Sequence, residues 1–109
     1  MDPEFDRQTS EIVLRDYLPL PESYVAPRNP TELRLELIWR AVLTMDRIGI
    51  EDSYRDLGMD SLAAAAIFAL IESEFGVTLP MASLLSAPTI ARLAARIDLA
   101  PPEARASVE

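Results

Sequence analysis

The 109-residue sequence contains no cysteine, no histidine and no lysine. Without cysteine there is no disulfide and no thiolate metal site. Without histidine the commonest general base and the commonest metal ligand are both missing. Carboxylates alone could hold calcium or magnesium, but no stretch has EF-hand spacing, so we expect no metal site. These absences leave few residues from which a catalytic centre could be built.

Basic residues are scarce as well, since ten arginines face 18 acidic residues and give a net charge of -8. An acidic surface argues against nucleic-acid binding. It suits basic partner surfaces, or it only keeps a small domain in solution. No apolar run is long enough to span a bilayer, and no signal peptide is visible. We therefore expect a cytoplasmic monomer that binds neither nucleic acid nor membrane.

The length fits one domain, and the 50% of apolar residues suffices for a small core. Residues 1–5 look like cloning-vector sequence. Residues 6–29 are predicted to be a connector, because their prolines favour extended backbone. Ile12–Leu14 could form a short strand but has no evident partner. We expect residues 6 to about 23 of the connector to add little to the core, with Tyr24 and Val25 as the exceptions. The folded domain is predicted at residues 30–98, followed by a disordered tail at 99–109.

Hydrophobic periodicity predicts a small antiparallel all-α bundle of three main helices and one short helix. The first helix should begin at Pro30, behind a capping-box arrangement at Asn29–Glu32, and fade near Met45. The second should run from Asp60 to Phe75 and end at a glycine. The short helix is predicted at residues 81–85, and the last helix is predicted to start at residues 87–89.

The long loop after the first helix leads to a turn at Leu57–Leu62. Gly58 breaks the chain there, and both Asp60 and Ser61 are good helix N-cap residues. Ser61 should therefore lie at or beside a helix N-terminus, where free N–H groups and the helix dipole favour an anion. A serine so placed can be a plain cap, a nucleophile, or an attachment point for a phosphate-linked group.

The run Leu57-Gly58-Met59-Asp60-Ser61-Leu62 resembles the attachment motif of acyl and peptidyl carrier proteins. Four flanking stretches agree with that family in order and spacing: residues 38–43, 49–54, 75–80 and 87–97. The linker Tyr24–Glu32 and Trp39 are similar to peptidyl carriers of nonribosomal peptide synthetases, whereas Met59 is closer to acyl carriers of polyketide pathways. Arg92 departs from the family, which often has an acidic residue there.

The resemblance implies a carrier domain without catalytic activity. A separate phosphopantetheinyl transferase would transfer 4′-phosphopantetheine from coenzyme A to Ser61, with Gly58, Asp60 and Leu62 beside it. The arm would hold acyl, aminoacyl or peptidyl groups as thioesters. The implied partners are a loading enzyme, such as an adenylation domain or an acyltransferase, and condensation, tailoring or thioesterase enzymes.

The second helix should bury one face, formed by Ala64, Ile67, Phe68, Ile71 and Phe75. A second apolar face would then point outward, and we expect it to dock partners: Met59, Leu62, Ala63, Ala66 and Leu70. Alanines are also simply good helix formers. One alternative function is a helical interaction module without a prosthetic group. An enzyme that uses Ser61 as its nucleophile is disfavoured, because neither histidine nor lysine is present to activate it.

Overall fold

The computed structural model describes residues 12–100, and the vector-like residues, the start of the connector and most of the predicted tail lie outside this range. Within this range, four α-helices follow one another: α1 (Pro30–Leu43), α2 (Ser61–Phe75), α3 (Ser83–Ser86) and α4 (Ile90–Asp98). A single 3-10 turn precedes them at Arg15–Tyr17. The predicted all-α class is confirmed, and the short helix lies two residues later than its predicted start.

Capping and terminating residues mark the ends of α2 and the start of α4 as predicted. Asp60 caps α2 by accepting the Ala63 N–H at 2.8 Å, and Thr89 Oγ1 caps α4 by accepting the Arg92 N–H at 3.2 Å. Gly76 ends α2 in the left-handed conformation, with φ 69°. These local signals fix where each helix starts and therefore where Ser61 lies.

The start of α1 differs from a reciprocal capping box in one detail. Asn29 Oδ1 accepts the Glu32 N–H at 2.8 Å, as predicted. The Glu32 carboxylate, however, accepts the Arg28 N–H at 2.8 Å, and Arg28 Nη2 also donates to it at 2.6 Å. Glu32 therefore joins the incoming chain to the helix one residue further out than the box predicts.

Helix α1 runs antiparallel to both α2 and α4, with which it packs. At its start, Arg34 pairs with Glu74 at the end of α2 (2.6 Å), and Thr31 donates to Asp98 at the end of α4 (2.7 Å). The core is apolar and contains side chains from every helix and from the long loop, including Leu35, Trp39, Ile48, Ile50, Ile67, Ile71, Leu84, Ile90, Leu93 and Ile97.

The expectation that the connector adds little to the core is wrong for its described part. Val13 forms an isolated parallel bridge with Met45, in which its N–H donates to the Thr44 carbonyl at 2.8 Å. Leu18 and Leu20 pack against the core, as does Val25, which was one of the two expected exceptions. Residues 12–29 therefore lie on the bundle as part of the folded unit.

A buried ion pair holds this segment in place. Arg15 Nε and Nη2 donate to the two carboxylate oxygens of Asp52, each at 2.7 Å, and both side chains are less than a tenth exposed. The hydrogen bonds to Asp52 raise the pKa of Arg15 above its ordinary value, against the effect of burial. Removing either partner of such a pair would leave an uncompensated charge inside the protein.

Two buried carboxylates also organise the long loop that follows α1. Glu36 accepts the Ile48 N–H at 3.1 Å, and Asp52 accepts the Gly49 N–H at 2.8 Å. The Ile50 carbonyl in turn accepts the Ala91 N–H, in the first turn of α4, at 3.0 Å. This loop is long but ordered by polar contacts, and it leads directly into the turn that presents Ser61.

None of the helices within residues 12–100 is both long enough and apolar enough to cross a membrane.

Candidate functional site

Ser61 is the first residue of α2, and its side chain is exposed. Asp60 before it supplies the cap, so the serine hydroxyl is not needed for that role. The Ala64 N–H is bonded to the Asp60 carbonyl at 2.9 Å, whereas the N–H groups of Ser61 and Leu62 have no acceptor within the described residues. Two free donors and the positive end of the helix dipole therefore lie beside the hydroxyl.

The turn before Ser61 is held by its own backbone. The Leu57 N–H donates to the Ser53 carbonyl and the Met59 N–H to the Tyr54 carbonyl, both at 3.1 Å. Gly58 adopts φ 76°, and a Cβ built there would meet nothing within 4 Å. The glycine is therefore required by its backbone conformation and not by lack of space.

An open groove of about 230 Å³ lies next to Ser61, between the start of α2 and α3. Met59, Ala64 and Tyr54 form one side, and Met81, Leu84 and Leu85 form the other. The groove is mostly apolar, so it could shelter uncharged parts of a group attached to the serine. The α3 residues were not foreseen as part of this site, although Pro80 and the apolar residues after it mark a short helix.

Arg55 is the basic residue of this turn. Its guanidinium lies 5.7 Å from the centre of the Tyr54 ring, and its Nε donates to the Tyr54 hydroxyl at 3.2 Å. That hydrogen bond raises the pKa of Arg55 above its ordinary value. A positive charge thus lies six residues before the serine in the sequence. Acidic residues precede it at Glu51 and Asp52 and follow it at Asp56 and Asp60.

The structure divides the predicted docking face into two parts. Leu62 is 81% exposed, Leu70 is 43% exposed, and Ala66 is also exposed. Met59 and Ala63 are half-buried, and Met59 packs against the core. The outward direction predicted for Ala63 is therefore only partly right, because it lies at the edge of the buried face of α2.

The buried face of α2 follows the prediction more closely. Ala64, Ile67, Phe68 and Ile71 are buried, whereas Phe75 is half-buried with the Arg34 guanidinium 4.8 Å from its ring centre.

Within residues 12–100 no group of three or more His, Cys, Asp or Glu side chains is placed to hold a metal ion. Three polar residues that order the path to Ser61 were not singled out in the sequence: Arg15, Glu36 and Asp52.

Residues 34–97 match a protein family described as the phosphopantetheine attachment site. Tyrocidine synthase 3 of Brevibacillus parabrevis is 41% identical over 87 residues, which cover 73% of this chain and 1% of the synthase. The chain thus spans a small fraction of the curated relatives it matches.

Two solved structures are similar as well. A chain from the complex of the phosphopantetheine transferase Sfp with coenzyme A and a peptidyl carrier protein is 39% identical, with a TM-score of 0.68, and the match covers 71% of this chain and 100% of that one. A solution structure of a prototype peptidyl carrier domain of modular peptide synthetases is 41% identical, with a TM-score of 0.62, over 69% of this chain and 99% of that one.

Proposed function

This chain belongs to the family of phosphopantetheine attachment domains, and from that membership we propose that Ser61 is the residue that carries the arm. The chain is a carrier domain of the peptidyl type, and its cofactor is 4′-phosphopantetheine from coenzyme A. It is a carrier and not an enzyme. When attached, the arm ends in a thiol that holds acyl, aminoacyl or peptidyl groups as thioesters.

The observation that carries the assignment is the exposed hydroxyl of Ser61 at the first position of α2, behind a cap that another residue supplies. The Ser61 oxygen would form a bond to the pantetheine-bearing phosphorus of coenzyme A. The bond from that phosphorus to 3′,5′-ADP would break, and the serine proton would pass to a base of the transferase. The product places a phosphodiester at a helix N-terminus, where free N–H groups and the dipole stabilise an anion.

Mass spectrometry of the intact protein tests the assignment. Incubation with a broad-specificity phosphopantetheinyl transferase and coenzyme A should add one phosphopantetheine, and Ser61→Ala should add none. Ser73→Ala is the matched control, because Ser73 is an exposed serine on the same helix and its loss should leave the modification intact. Modification that persists in Ser61→Ala would overturn the assignment.

The transferase that modifies Ser61 is the first partner we propose. The further partners are a loading enzyme, such as an adenylation domain or an acyltransferase, followed by condensation, tailoring or thioesterase enzymes. The docking face for these further partners would consist of Met59, Leu62, Ala63, Ala66 and Leu70. Exposed leucines on a helix that already buries one face support this surface, and the net charge of -8 would steer basic partners toward it.

The alternative function, an interaction module without a prosthetic group, is not favoured, because the matching family is defined by the attachment of phosphopantetheine. The similarity of Met59 to polyketide carriers concerns one residue, whereas the peptidyl carriers match over most of the chain. A cytoplasmic location stays a prediction from the sequence.

A further inference from the structure

A second groove, of about 490 Å³, lies between α4 and the segment that flanks α3. It shares no lining residue with the groove beside Ser61. Its walls are mostly apolar and include Leu79, Ala87, Ala95 and Leu99, with Arg92 and Arg96 on the α4 side. We call it the α4 groove. Leu99 is 82% exposed, so this end of the described chain presents an apolar side chain at its surface.

Within residues 12–100, neither arginine of the α4 groove forms an ion pair. Five of the eight arginines in that range pair with Asp or Glu, whereas Arg55, Arg92 and Arg96 do not. They lie one helical turn apart, and like charges at that spacing repel each other. In a chain of net charge -8, Arg92 and Arg96 thus place two positive charges at one groove, without an ion-pair partner among residues 12–100.

Helix stability does not account for Arg92. It is the third residue of α4, where the helix dipole and the Thr89 cap favour an acidic side chain. A cation in this first turn is mildly unfavourable for the helix. Arg96 is oriented toward the opposite wall, because its Nη2 donates to Ser86 Oγ at 2.7 Å.

We propose that the α4 groove binds an acidic peptide segment of a partner protein. Two carboxylates would pair with Arg92 and Arg96, and small aliphatic side chains between them would lie on Leu79, Ala87 and Ala95. Charge complementarity selects an acidic occupant, and the apolar walls select a peptide over a lone anion. This site is separate from Ser61 and serves a partner whether or not the arm is attached.

Amide chemical shifts of the ¹⁵N-labelled full chain test the proposal. The probe is a short synthetic peptide with glutamates four residues apart and leucines and alanines between them. It should shift the amides of Ala87, Ala95 and Leu99, in apo and holo protein alike. The same peptide with lysine in place of glutamate should not shift these amides. Added salt should weaken binding of the acidic peptide, because it screens the charges.

Charge reversal gives the matched comparison. The double variant Arg92→Glu/Arg96→Glu should lower the affinity for the acidic peptide by about tenfold or more. Arg92→Glu alone should unfold at no lower temperature than the parent, because it restores the charge that the helix dipole favours. Arg55→Glu makes the charge change of one such substitution outside the α4 groove and should leave peptide binding unaltered.

Three results would overturn the proposal. The first is equal binding of the acidic peptide by the double variant, and the second is a set of shifts that maps outside the α4 groove. The third is a change of the Ala87 and Ala95 amide shifts in the absence of peptide, either on removal of residues 101–109 or on dilution. That result would assign the groove to this chain's own C-terminal segment or to a second copy.

Discussion

The segment at residues 12–25 and the turn at residues 57–62 differ in where their charged side chains lie. The upstream segment buries Arg15 in an ion pair with Asp52 of the long loop. The turn places its serine, its capping aspartate and Leu62 at the surface. The first region contributes to the stability of the domain, and the second is free to react. Substitutions at the buried pair should therefore change the free energy of unfolding. Substitutions near the turn should change modification or loading by partner enzymes.

The largest effect on stability should come from Asp52→Ala. This change leaves Arg15 buried without its carboxylate, removes the acceptor of the Gly49 N–H, and should cost about 3 kcal/mol or more. Urea unfolding followed by circular dichroism measures the loss. Asp16→Ala is the control, because Asp16 pairs with Arg47 at the surface and its loss should cost under about 0.5 kcal/mol.

A loss from Asp52→Ala no larger than the control would break the comparison. It would mean that residues 12–25 leave the bundle easily in solution and that the buried pair contributes little.

A smaller effect should appear at acidic pH through Glu32. The hydrogen bond from the Arg28 side chain lowers the pKa of Glu32 below its ordinary value of 4.5, against the effect of burial. The unfolded chain therefore binds this proton more readily than the folded one. The stabilisation is present above pH 4.5 and is lost as the pH falls through the lower, folded pKa.

Glu32→Gln should remove this contribution. The variant should be less stable than the parent at neutral pH, and the difference between the two should shrink below pH 4.5. Thermal midpoints measured across that range check the direction. A difference that stays constant with pH would show that the ion pair with Arg28 does not stabilise the fold.

The smallest effect on stability is expected on the exposed side of α2. Ala66→Arg changes a surface residue and should alter the free energy of unfolding by under about 0.5 kcal/mol. Phosphopantetheine attachment should remain largely intact, while loading by the cognate enzyme slows. Ser73→Arg, on the same helix but outside the proposed docking face, is the control. Unchanged loading with both Ala66→Arg and Leu70→Arg would rule out this face.

The sequence predicts those features of the fold that depend on residues a few positions apart, such as helix ends. Asp60 and Gly76 mark both ends of α2 because caps and terminators act within one turn. Arg15 and Asp52 were missed because they are 37 residues apart, and a lone arginine in a proline-rich stretch looks like solvated surface. The half-buried position of Ala63 was not predicted, because its helix is apolar almost all round and periodicity defines the edge of the buried face poorly.

The docked position of residues 12–29 also limits how far a domain joined upstream could move from Ser61. As a free chain these residues would extend up to about 60 Å, and a domain joined ahead of them could search a correspondingly large volume around Ser61. Held by Arg15 and by the bridge at Val13, they add none of that reach. A domain attached upstream of Ile12 would thus meet the serine at a higher effective concentration, from a narrower range of directions.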